Sequence, residues 1–92
     1  MLDKIATKII KEQELIMGPI AWEEARQVEG LKVDVATRAI SFTVTTNQEE
    51  VIDRLVRRYE RFFGRASVEV CRDAVKDLIV DTPENQIPSL LR

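Results

Sequence analysis

Histidine is absent from this chain, and cysteine occurs once, at Cys71. The first absence removes Cys-His and Ser-His-Asp nucleophile systems, and with them zinc sites that rely on an imidazole ligand. A lone cysteine cannot close an internal disulfide, which fits a reducing compartment. The three glycines all fall at boundaries between apolar patterns, so no G-x-x-x-x-G-K or G-x-G-x-x-G phosphate loop exists. No apolar run approaches the roughly 18–20 residues of a membrane span, and the N-terminus lacks the basic-then-apolar order of a signal peptide. The formal charge of −2 gives no general attraction to nucleic acid or to an anionic membrane. Together these absences predict a cytoplasmic protein that is not an enzyme and carries no cofactor or metal.

What is present is a balanced globular composition, 45% hydrophobic and 33% charged, far from the signature of disorder. A chain of 92 residues makes one domain, which buries about 60–65% of the surface its unfolded form exposes. Sliding the sequence by 46 positions reveals an internal repeat. Ile9-Ile10-Lys11 falls on Leu55-Val56-Arg57, Ile16-Met17-Gly18 on Phe62-Phe63-Gly64, and Ala25-Arg26 on Cys71-Arg72. Glu14, Gly18, Glu23 and Arg26 are identical to their counterparts, and apolar falls on apolar at nearly every core position. Each copy reads as a helix, a glycine and a second helix.

Leu2, Ile5, Ala6, Ile9, Ile10, Ile16 and Met17 recur at helical spacing, with Gln13 inside the stripe and Tyr59 as its counterpart. Gly18-Pro19 predicts a corner, because glycine tolerates the left-handed end of a helix and proline is pre-set for the next start. A short helix follows from Ile20 to Glu29, with Trp22 as core anchor. From Leu31 the period alternates and β-branched residues dominate, predicting a hairpin over 31–45; the competing reading is a short helix capped by Asp34. Asn47, with Glu50 three residues on, has capping-box spacing. It opens a helix with Val51, Ile52, Leu55, Val56, Tyr59, Phe62 and Phe63 on one side. A fourth helix is expected after Gly64, to about Val80. Residues 82–92, with Pro83 and Pro88, read as an irregular tail whose Ile87, Leu90 and Leu91 can dock on the body or on a partner.

Polar clusters are weighed against their plainest explanation. Glu12 with Glu14, Glu23 with Glu24, and Asp73 with Asp77 are paired carboxylates of the kind that hold magnesium or move protons. Each has a basic neighbour, Lys11, Arg26, Arg72 or Lys76, as solvated helix surfaces do. Arg54, Arg58, Arg61 and Arg65 lie within about 60° of one another on a helical projection, with Arg57 at the edge. Such a row can track phosphates. Between Asn47 and Asp81, however, seven basic residues face eight acidic ones, with Glu50 and Asp53 placed to pair with Arg54 and Arg57.

Gly18-Pro19-Ile20-Ala21 with its flanking helices, and the echo Phe63-Gly64-Arg65-Ala66, resemble small helical domains of unassigned function found in bacterial proteins, some appended to signalling or regulatory chains. The resemblance implies a regulatory or scaffolding role and brings no active-site residues with it. A first unit that begins at the start codon suggests a stand-alone version with separate partners.

The expected fold is mainly α (α+β): repeat units 2–29 and 47–80 related by a pseudo-twofold, flanking a β-hairpin at 31–45, in one domain over 1–81. Gly18, Pro19, Trp22, Tyr59, Phe62, Phe63 and Gly64 are its expected anchors. The expected function is a protein–protein interaction module that self-associates as a homodimer. The alternatives are a nucleic-acid-binding accessory protein using Arg54, Arg58, Arg61 and Arg65, which the charge balance disfavours, and a carrier of a small apolar ligand lined by Trp22, Tyr59, Phe62 and Phe63.

Overall fold

Two helix pairs make the body of the molecule. The first is α1 (Leu2–Met17) with α2 (Ile20–Arg26), the second α3 (Gln48–Phe63) with α4 (Arg65–Val75), and between them run β1 (Leu31–Asp34) and β2 (Ala39–Phe42). The computed structural model describes residues 2–92. α1 and α3 each end at a glycine with positive φ, +75° at Gly18 and +64° at Gly64. At Gly64 ψ is −148°, a combination essentially reserved for glycine, although the space where a side chain would go is open. The corner therefore rests on backbone freedom and not on lack of room.

The repeat is written into the hydrogen bonds. Gly18 N–H donates to the Glu14 carbonyl at 2.8 Å, and Gly64 N–H donates to the Glu60 carbonyl at 2.7 Å. Ala21 to Gly18 and Ser67 to Gly64 repeat the next bond, both at 3.1 Å. Even the surface follows, since Arg26 pairs with Glu23 and Arg72 with Glu69. Ile5 and Val51, Ala6 and Ile52, Ile9 and Leu55, Ile10 and Val56, Trp22 and Val68, and Ala25 and Cys71 are buried in matching places.

Gln13 and Tyr59 occupy corresponding positions and reach across to the opposite unit. The Tyr59 hydroxyl donates to the Ala21 carbonyl at 2.7 Å, while the Gln13 amide donates to the Ser67 carbonyl at 3.2 Å and to Cys71 Sγ at 3.4 Å. Ala21 and Ser67 are themselves equivalent, so the pair of bonds obeys the pseudo-twofold. Both bonds lie near the glycine corners, which brings the two corners to one end of the molecule. The match is imperfect, because Gln13 Oε1 and Ser67 Oγ are buried without partners.

The hairpin lies across the first unit, β1 against α2 and β2 against α1. Leu31 pairs with Phe42 and Val33 with Ile40, putting Leu31 and Val33 into the core. Asp34 caps the turn and not a helix: its carboxylate accepts from the amides of Ala36 and Thr37 at 3.0 and 3.2 Å. Arg38, in the left-handed conformation, then projects back to the helices. Its guanidinium lies 5.2 Å from the centre of the Trp22 ring and pairs with the Glu14 carboxylate. That guanidinium holds the Glu14 carboxyl below its usual range.

Three expectations about helix ends are corrected. Asn47 forms no capping box: it is left-handed (φ +58°), its side chain makes no cap bond, and the Glu50 carboxylate is taken by Arg54. A side-chain cap needs an extended residue, whereas asparagine tolerates the left-handed state found here. The second helix stops at Arg26, because Gln27 and Val28 bond three residues back and tighten the chain, turning Val28 inward. The fourth stops at Val75, past which the chain tightens into turns, with Leu78 and Ile79 N–H both bonded to the Val75 carbonyl, Ile79 half-buried against the core, and Leu78 and Val80 exposed.

Residues beyond 82 form two 3-10 turns, Glu84–Gln86 and Ser89–Leu91, the latter docked on α3 and α4. Ile87, Pro88 and Leu91 are buried. Both oxygens of Asp53 are engaged by this turn: Ser89 N–H and Oγ–H donate to Oδ2 at 3.1 and 2.8 Å, and Leu90 N–H donates to Oδ1 at 2.9 Å. Arg72 donates to the Leu90 carbonyl at 3.0 Å.

Two outcomes are expected. Tyr59→Phe removes a satisfied buried bond and costs about 0.5–1.5 kcal/mol in urea unfolding, whereas Gln13→Met deletes an unpartnered oxygen as well and is close to neutral. A folded Glu14 pKa below its ordinary 4.5 means that the unfolded chain binds more protons. Its contribution is present above that pH and is lost as pH falls through the folded value. The acid side of the stability profile therefore flattens in Glu14→Gln, as read by thermal melts across pH.

Candidate functional site

α3 carries the densest row of arginines in the chain. Arg54, Arg57, Arg58 and Arg61 fall on one face of the helix, opposite the buried stripe of Val51, Ile52, Leu55, Val56 and Tyr59. With Gln27, Val28 and Glu29 from the end of α2, they line a cleft of about 200 Å³. Two of the four are fixed. Arg58 pairs with Glu24 at 2.8 Å, and Arg54 bonds both Glu50 at 3.2 Å and the Glu29 carbonyl at 3.3 Å. Arg57 and Arg61 have no ion-pair partner among the described residues. Arg57 was expected to pair with Asp53 one turn earlier, but that carboxylate is occupied by the C-terminal turn.

The predicted row of Arg54, Arg58, Arg61 and Arg65 is thus divided. The first two are spent inside the molecule, Arg61 joins Arg57 at the cleft, and Arg65 stands beyond the Gly64 corner as the first residue of α4. Position within the sequence could not show this, because Glu24 and Ser89 reach α3 only through the fold.

The predicted anchors also separate. Trp22 and Tyr59 are 1% and 0% exposed, as anchors should be. Gly18 and Gly64 make the corners, and Pro19, with helical dihedrals, leads into α2. Phe62 and Phe63, however, are 48% and 46% exposed, since the last turn of α3 runs past the core before Gly64 redirects the chain. The four aromatics therefore do not line a common cavity: two are packed inside and two lie outside. Leu15, Ile16 and Ile20 are exposed at the equivalent first corner. The two corners thus expose five large apolar side chains between them, a feature hidden in the periodicity because Ile16, Phe62 and Phe63 continue the buried stripes.

Two of the three carboxylate pairs dissolve into separate contacts, whereas Asp73 and Asp77 line one shallow cleft with Lys8 and Glu12. Glu12 pairs with Lys8, Glu14 with Arg38, Glu23 with Arg26 and Glu24 with Arg58. Among the described residues, no group of three or more histidine, cysteine, aspartate or glutamate side chains is placed to hold a metal ion. Cys71 is buried, and burial pushes its thiol up to about 11 against a smaller opposing pull from the Gln13 amide. Burial likewise raises the Tyr59 phenol far above its usual range. No helix is long and apolar enough to cross a membrane among the described residues.

No family model, curated protein or solved structure matches this chain.

Cys71 is expected to resist a disulfide thiol reagent at pH 8 in the native protein and to react at once in denaturant, with absorbance of the released thiolate as the readout.

Proposed function

We propose that this chain is a non-enzymatic protein–protein contact module, regulatory or scaffolding in character, working in the bacterial cytoplasm, with a second copy of itself as its first partner. The observation that carries the reading is the corner end, where Leu15, Ile16, Ile20, Phe62 and Phe63 remain in solvent although the core beside them is closed. Large exposed apolar groups gathered at one end of a small domain mark a contact surface. Around the two phenylalanines, Glu60 and Arg65 have no ion-pair partners among the described residues. A rim bearing both signs suits a twofold contact, in which one patch meets its own copy and each charge has an opposite available. The hairpin needs no partner strand, because α1 and α2 already support it.

Sedimentation equilibrium tests the proposal. The expected result is a dimer at high micromolar concentration that becomes monomeric on Phe62→Glu with Phe63→Glu, the melting profile of the monomer being retained. A native chain that stays monomeric throughout removes the homodimer, and an affinity capture recovering no specific partner as well removes the contact module. A dimer unaffected by the double substitution places the contact elsewhere, on the hairpin edge for instance.

A further inference from the structure

We propose that the cleft between the end of α2 and the arginine face of α3 is a binding site for a phosphate group, gripped by Arg57 and Arg61. The inference concerns a different surface from the corner end and does not rest on the contact-module reading. Arginines four residues apart on a helix repel, and α3 carries two such couples on the same face, Arg54 with Arg58 and Arg57 with Arg61. The fold neutralises the first couple with Glu50 and Glu24. It leaves the second without a counter-charge, having committed Asp53 to Ser89 and Leu90.

Four guanidiniums and one carboxylate, that of Glu29, line the cleft. Even with Glu24 and Glu50 counted, cations exceed acids there. Arg54 and Arg58 are held by their ion pairs and form a rigid cationic border, while the forks of Arg57 and Arg61 keep their N–H donors for an incoming group. A carboxylate is satisfied by one such fork. Two free forks side by side suit an anion with more oxygens and a higher charge, which is the chemistry of phosphate. The volume, about 200 Å³, falls below the span of pockets that enclose whole drug-sized ligands and admits a phosphoryl group with the remainder of its molecule outside. That group can come from a free phosphate ester or from a nucleic-acid backbone.

The test follows the arginine side-chain N–H resonances by NMR in the full chain. Inorganic phosphate, pyrophosphate and a short single-stranded oligonucleotide are added separately, with chloride adjusted to constant ionic strength so that general screening is held fixed. Saturable shifts at Arg57 and Arg61 are expected, with binding weakened about tenfold or more in Arg57→Gln with Arg61→Gln and unchanged in Lys11→Gln. Saturation by phosphate or pyrophosphate identifies a small-molecule source. Saturation by the oligonucleotide alone, lost in the same double variant, identifies a polymer backbone. Linear shifts with all three probes overturn the proposal, as does saturation that survives the double substitution. Both arginines are at the surface, and an unchanged amide spectrum of the variant separates loss of binding from loss of fold.

Discussion

The architecture depends on a reciprocal grip. The first helix of each unit sends a polar side chain, Gln13 or Tyr59, to a carbonyl at the start of the second helix of the other unit. Apolar stripes alone would let the two units slide or rotate over one another, since hydrophobic contact has no direction. Two oriented bonds through buried side chains fix both the register and the angle. They also leave both glycine corners, with the apolar groups each exposes, toward the same end. Satisfying one polar atom at each site matters more for specificity than for net stability.

The fold organises its charges in two different ways. Arg38 stands on Trp22 and reaches Glu14, so that one side chain pins the hairpin turn to the first corner. On α3, by contrast, charge is only partly compensated. Helix geometry places four arginines within about two turns, and only Arg54 and Arg58 are given acids, Glu50 from α3 itself and Glu24 from α2. The surface that results is uneven: one region is closed by ion pairs, and the neighbouring one retains donors for something outside the chain.

Much of this plan is legible in sequence, because glycine and apolar spacing are local signals. Gly18 and Gly64, the change of period at Leu31 and the match of Ile9-Ile10 with Leu55-Val56 define the two units and the hairpin by residue type and spacing alone. What sequence could not supply is where a helix outruns its core. Phe62 and Phe63 continue the stripe of Tyr59 perfectly well on a projection, yet nothing lies opposite them. Nor could it allocate acids to bases. Asp53 is one turn from Arg57, a pairing helix geometry favours, but two backbone amides and the Ser89 hydroxyl of a distant turn outcompete the guanidinium by presenting three donors together. Asn47 failed as a cap for a similar reason: the residue type suits both a cap and a left-handed bend, and only the path of the chain entering α3 chooses between them.

Asp53 has two suitors and one carboxylate. While the C-terminal turn is docked, Arg57 goes without; once that turn peels away, the acid is returned to the arginine row four residues along the same helix. The two engagements draw on the same pair of oxygens, so releasing the Ser89–Leu91 turn frees acceptors within reach of the Arg57 side chain, and the docking of that turn is coupled to how the arginines of α3 are partnered.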